Sequence, residues 1–162
     1  MKKRLPLILF FCLLAMAVYL ALDTAPAPQK TETLRAHIDR THRGALTLNL
    51  ELVTTPEGRE RGLMNRTSLQ PYDGMAFFFP RVAPQYFWMK NTLIPLDILF
   101  IDQNRRIVTI ARGEPFSEAR LGSNGPIETV IELDAGRAAK DGIAVGDVVH
   151  YETKVPPSQL AR

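Results

Sequence analysis

"LTLNLELV", residues 46–53, sets Leu46, Leu48, Leu50 and Leu52 against Thr47, Asn49 and Glu51. Side chains of an extended strand point alternately to its two faces, so a period of two means a strand with one buried side. The neighbouring segments extend this reading. "TTPEGRERGL" (54–63) carries Thr54 and Glu57 at capping-box spacing and Pro56 near the first turn, which predicts a short helix ending near Gly62. "GMAFFF" (74–79), "LDILFID" (96–102), "RRIVTIA" (105–111), "TVIEL" (129–133) and "GDVVHYE" (146–152) are further strand-like runs. "DQNR" (102–105) fits a hairpin turn, and "DAGRAAKDG" (134–142) a helical turn closed by Gly142. Gly62 and Gly74 read as turn glycines. Many short strands with one or two short helices predict a mainly β fold, an antiparallel sandwich or barrel.

Toward the amino terminus the composition changes. Met1-Lys2-Lys3-Arg4 precedes "LPLILFFCLLAMAVYLAL" (5–22), which holds no charge. At about 1.5 Å per residue a helix of that length spans roughly 27 Å, close to the roughly 30 Å of a bilayer core. A basic start before an apolar run is the pattern of a signal peptide or signal anchor. Residues 1–22 are therefore expected to form an apolar leader helix that crosses the membrane if it is not cleaved. Residues 23–34 are a Pro/Thr-rich linker, 35–153 one β domain and 154–162 a flexible tail. The expected location is exported: periplasmic or extracytoplasmic.

Charge and cysteine exclude several classes. Setting aside Lys2, Lys3, Arg4, Lys30 and Asp23 from 20 basic and 17 acidic residues leaves 16 of each in residues 31–162. A neutral exported part lacks the basic stripe of a nucleic-acid-binding domain. The only cysteine, Cys12, lies in the leader, so the domain has no disulfide, thiolate or cysteine-metal chemistry. No G-x-S-x-G, P-loop or dinucleotide fingerprint occurs. His37, His42 and His150 have no metal-ligand spacing and read as surface or capping residues. No cofactor is indicated.

The chemistry concentrates in "FWMKNTLIPLDILFID" (87–102). Asp97 sits inside an otherwise apolar strand, where a carboxylate is costly unless paired. Arg61, Arg66 and Lys90 are the candidate cations, and an internal bridge from Asp97 to an arginine would tie the helix to the sheet. Alternatively Trp88, Lys90, Asn91 and Asp97 form a polar-floored pocket, with Trp88 as a stacking surface. On a flat strand Trp88 and Lys90 would share one face. The candidate ligand site is thus Arg61, Arg66, Trp88, Lys90, Asn91 and Asp97. The thioethers of Met64, Met75 and Met89 are candidates for Cu(I), against core filling.

"ERGLMNR" (60–66), "DGMAFFF" (73–79), the 87–102 stretch, "IELDAG" (131–136) and "GIAVGD" (142–147) together resemble the domain of unknown function 192 family, also called uncharacterised protein family 0127. The resemblance spans about residues 40–152 and departs mildly where Ile127 follows Pro126. It implies a jelly-roll-like β domain, often exported, with no assigned activity and no catalytic residues to carry over. The resulting expectation is a non-catalytic binding or accessory module for a small molecule or envelope component. The alternatives are an envelope-saccharide hydrolase using Asp97 and a Met-based Cu(I) binder.

Overall fold

The computed structural model describes residues 32–152. The leader, most of the linker and the tail lie outside the described residues. Seven strands form one sheet in the order β5-β4-β6-β3-β2-β1-β7. They are β1 (Glu32–Arg40), β2 (Gly44–Val53), β3 (Gly74–Phe87), β4 (Leu96–Ile101), β5 (Ile107–Gly113), β6 (Leu121–Asp134) and β7 (Val148–Glu152). Two short helices, α1 (Pro56–Arg61) and α2 (Arg137–Asp141), complete the mainly β domain. The sheet curls into a half-barrel, and its outer strands touch through a bridge between Arg106 and Val148.

Each face of the sheet carries a core, as alternation demands. On the first face Leu34, Ala36 and Ile38 of β1 meet Leu48, Leu50 and Leu52 of β2, with Ala76, Leu99, Ile131 and Leu133. On the second, Met75, Phe77, Ile98, Phe100 and Val130 are covered by Leu63, Leu69 and Met89 from the connections. Full burial of one such side chain stabilises by about 1.5–3 kcal/mol, so two-sided burial explains why β4 reads as an uninterrupted apolar run.

Four expectations need correction. First, the sheet is mixed: β2 and β3 are parallel, with Leu50 opposite Gly74 and Val53 opposite Phe77. Parallel neighbours need a long crossover, and the α1 segment supplies it. Second, Glu32, Thr33 and Leu34 belong to β1, not to the linker; Leu34 is fully buried. The small Ala36 and charged neighbours hide this strand's alternation. Third, the helix cap is Thr55, whose hydroxyl accepts the Gly58 N–H at 3.1 Å, not Thr54. Pro56 then occupies the first turn and Gly62, at φ 46°, ends the helix. Fourth, Gly74 lies within a strand, not a turn.

Other local readings stand. In the 102–105 turn Asp102 Oδ1 accepts the N–H groups of Asn104 and Arg106, each at 2.9 Å. Gly142 closes α2 at φ 70°. His37 lies on the β1 surface between Thr47 (2.9 Å) and Glu152 (2.7 Å), and His150 pairs with Asp39 (3.0 Å). His42 is exposed.

Candidate functional site

The second face of the sheet is incompletely filled. A cavity of about 240 Å³ lies there, bounded by residues of α1, the following loop, both halves of β3, Thr92 and β6. Phe77, Phe79 and Phe87 make its aromatic wall. Phe87 meets Phe77 edge-on at 5.5 Å, Phe79 at 6.3 Å and Phe100 at 5.8 Å. Such edge contacts lock ring orientation as well as burying area. The long β3 makes this possible: its pairing with β6 shifts register between Phe78 and Ala83 and again before Tyr86, and Gln85, Tyr86 and Phe87 from beyond the shifts line the same cavity as Phe77.

Glu132 of β6 also lines the cavity. Val130 and Glu132 share the second face, while Ile131 and Leu133 pack into the first core. Glu132 pairs across the sheet with Met75 and Ile98, so its carboxyl is set among apolar neighbours. The residue is 5% exposed and its Oε2 has no hydrogen-bond partner among the described residues. Desolvation pushes its pKa from 4.5 up to about 8, with no compensating charge. At neutral pH it is mainly an uncharged acid, able to donate one hydrogen bond and accept others. Two other buried polar atoms lack hydrogen-bond partners among the described residues, Thr129 Oγ1 and Tyr151 Oη. Both belong to the first face: Tyr151 packs against its core, and Thr129 shares strand parity with Ile131 and Leu133.

At the rim stand Arg59, Glu60 and Arg61 of α1. Arg59 Nη1 donates to the carbonyls of Thr54 and Phe78, and the guanidinium lies 5.7 Å from the Phe79 ring centre. These bonds tie the helix to the wall it faces. Arg61 is exposed and makes no ion pair among the described residues.

The sequence candidates divide. Arg61 and Trp88 line the cavity. Lys90 places its ammonium 5.1 Å from the Trp88 ring centre, so the two share a face, but in a turn after β3 and not on a strand. Trp88 is 46% exposed, at the mouth. Asn91 is a backbone element: at φ 55° it takes the left-handed region that asparagine tolerates, and its carbonyl accepts the Asn65 N–H at 2.8 Å. Arg66 is committed to Glu51, through paired hydrogen bonds that include one of 2.7 Å, and this bonding raises its pKa further.

Asp97 is elsewhere. It shares the first face with Leu99 and Ile101, opposite the cavity. Its Oδ2 accepts the Ala138 N–H at 2.9 Å, and its Oδ1 lies 3.5 Å from Arg112. It does tie a helix to the sheet, but the helix is α2 and the chief bond is from a backbone amide, not from Arg61, Arg66 or Lys90. Strand alternation decides this, since Ile98 and Phe100 take the cavity side. Of the methionines, Met64 reaches the cavity, whereas Met75 and Met89 are 1% exposed core residues.

Glu132 was missed in the sequence although the signal existed. A lone acid between Ile131 and Leu133 is the same anomaly as Asp97 between Leu96 and Ile98.

The loop that carries Trp88 and Asn91, the Arg66-bearing segment and the Glu132 strand all lie within one stretch, residues 38–151, that a family pattern covers. The profile described as an uncharacterized ACR matches residues 38–151. The chain belongs to the domain of unknown function 192 family. A Sinorhizobium meliloti crystal structure, of a candidate transcription regulator, is 36% identical with a TM-score of 0.73. The alignment covers 77% of this chain and 98% of that one. A Novosphingobium aromaticivorans protein of unknown function is 35% identical with a TM-score of 0.71, covering 77% and 89% respectively. No curated protein matches the chain. The fold of the domain is thereby shared with both solved structures.

Proposed function

We propose that this domain is a binding module that takes a small organic molecule into the cavity between α1, β3 and β6. The observation that carries the reading is Glu132, a buried carboxyl with an unpartnered oxygen lining an aromatic-walled cavity. A buried polar group without a partner costs about 1–3 kcal/mol, and a ligand that completes its hydrogen bonding recovers that cost. The hydrolase alternative needs Asp97 in a cleft with a second carboxylate; Asp97 is buried on the opposite face beside Ala138 and Arg112. The transcription-regulator description of the Sinorhizobium protein finds no support in the balanced charge of residues 31–162.

Trp88 is the only tryptophan and lines the cavity, so its emission reports the site alone. Titration with small carboxylates, envelope saccharides and Cu(I) is expected to shift Trp88 emission for one organic class, and Glu132→Leu to move that shift to higher ligand concentration. An emission unmoved by every class, or a Glu132→Leu titration that follows the wild-type curve, overturns the reading.

The proposal places the module outside the cytoplasm, on the strength of the Lys-Lys-Arg start and the uncharged residues 5–22. Among the described residues no helix is long and apolar enough to cross a membrane. A reporter active only in the cytoplasm, fused after Arg162, should be silent; strong activity would refute export. The jelly-roll-like closure is part of the same reading, supported by the Arg106–Val148 bridge between the outer strands.

A further inference from the structure

The chemistry of the cavity is not uniform, and the differences select a ligand class. This inference rests on the binding-module reading above. The floor group, Glu132, has no cation paired with it among the described residues. It can host an uncharged hydroxyl or carbonyl, and it repels a second anion once ionised. The middle is aromatic and apolar, made by Phe77, Phe79 and Phe87. The mouth is cationic. Arg59 and Arg61 line the cavity there; Lys90 lies over Trp88, and Arg120 lies 4.3 Å from the ring centre of Tyr86. Only Glu60 and Glu118 oppose them among the residues lining this cavity and the adjoining groove. Arg59 uses Nη1 on backbone carbonyls, while its Nε and Nη2 make no hydrogen bond among the described residues.

The geometry points to an amphipathic organic anion of single-ring size, with its carboxylate at Arg59 and Arg61, its ring against Phe79 and Phe87, and an uncharged polar group at Glu132. The volume, about 240 Å³, lies below the roughly 300–1,000 Å³ of ordinary ligand sites, which favours one ring over several. Arginine at the mouth matches a carboxylate through its planar donors. An alkylammonium would find aromatic faces attractive but must pass four cations to reach them.

The test uses the full chain in lipid nanodiscs, with 4-hydroxybenzoate, benzoate, phenol and benzylamine as probes read by Trp88 emission and calorimetry. 4-Hydroxybenzoate is expected to bind about tenfold more tightly than benzoate or phenol, the scale of one good polar contact, and benzylamine more weakly than all three. Arg61→Ala should weaken 4-hydroxybenzoate and benzoate about fivefold, as for one exposed charge contact, and leave phenol unchanged. Glu132→Leu should bring 4-hydroxybenzoate down to the benzoate level, and Glu132→Gln, which keeps a donor and an acceptor, should restore it. Benzylamine binding as tightly as 4-hydroxybenzoate, or Arg61→Ala weakening phenol equally, overturns the anion assignment while the cavity reading survives. Failure of all four probes to bind overturns the single-ring assignment, and the cavity reading falls with it when the saccharides also leave Trp88 emission unmoved.

Discussion

The fragment of residues 31–162 is expected to lose roughly 5 kcal/mol of folding stability as pH rises from 4.5 to 8, and Glu132→Gln to remove most of that loss. Glu132 has an ordinary pKa of 4.5 when unfolded and one raised to about 8 by burial when folded. Between those values the unfolded chain has released the proton and the folded chain still holds it. Unfolding then releases a proton, so higher pH favours the unfolded state. The contribution of the neutral carboxyl is complete below pH 4.5 and is lost as pH climbs through about 8. At about 1.4 kcal/mol per pH unit the interval amounts to roughly 5 kcal/mol. Glutamine has nearly the same shape and does not ionise, so its variant should show a flat curve from this source and be the more stable protein at pH 8. Urea melts at half-unit pH steps measure it. A wild-type curve that is level across the interval, or the same slope in Glu132→Gln, would falsify the buried neutral carboxyl.

Gly74→Ala should cost about 3 kcal/mol or more. Gly74 opens β3 between Leu50 of β2 and Leu133 of β6. A Cβ there would lie 2.3 Å from the Glu132 carbonyl oxygen, 2.7 Å from Leu133 Cδ2 and 3.1 Å from Leu50 Cδ2. The two leucine tips can turn away. The carbonyl belongs to the backbone of a central strand and moves only if β3 and β6 separate. Overpacking of cores costs about 1–3 kcal/mol, and more where the backbone must yield. Gly125→Ala is the matched control, because its Cβ would meet nothing within 4 Å. A Gly74→Ala melt indistinguishable from that of Gly125→Ala would show that β3 and β6 are looser than their pairing implies. Since Glu132 belongs to the displaced strand, the same substitution should also blunt any Trp88 response to ligand.

Much of the fold was legible residue by residue. The alternation of Leu46 to Leu52 required a strand with one buried face, Pro56 and Gly62 bracketed a helix, and Gly142 stopped another. These are local constraints: a pleat, a fixed φ, a left-handed turn. The "FWMKN" block was legible as family membership, and Trp88 with Lys90 as a shared face. The parallel β2–β3 pair was not legible, because strand direction depends on where the crossover lands and not on either strand's pattern. Nor was the division of the acids. Asp97 and Glu132 present the same anomaly in sequence, one carboxylate in an apolar run. Pairing places Asp97 on the face where Ala138 supplies an N–H, and Glu132 on the face where it meets the cavity. A side chain's face is set by its strand parity, which sequence shows. What lies on that face is contributed by segments dozens of residues away, and only their tertiary packing decides whether a buried charge is satisfied or left open to a ligand.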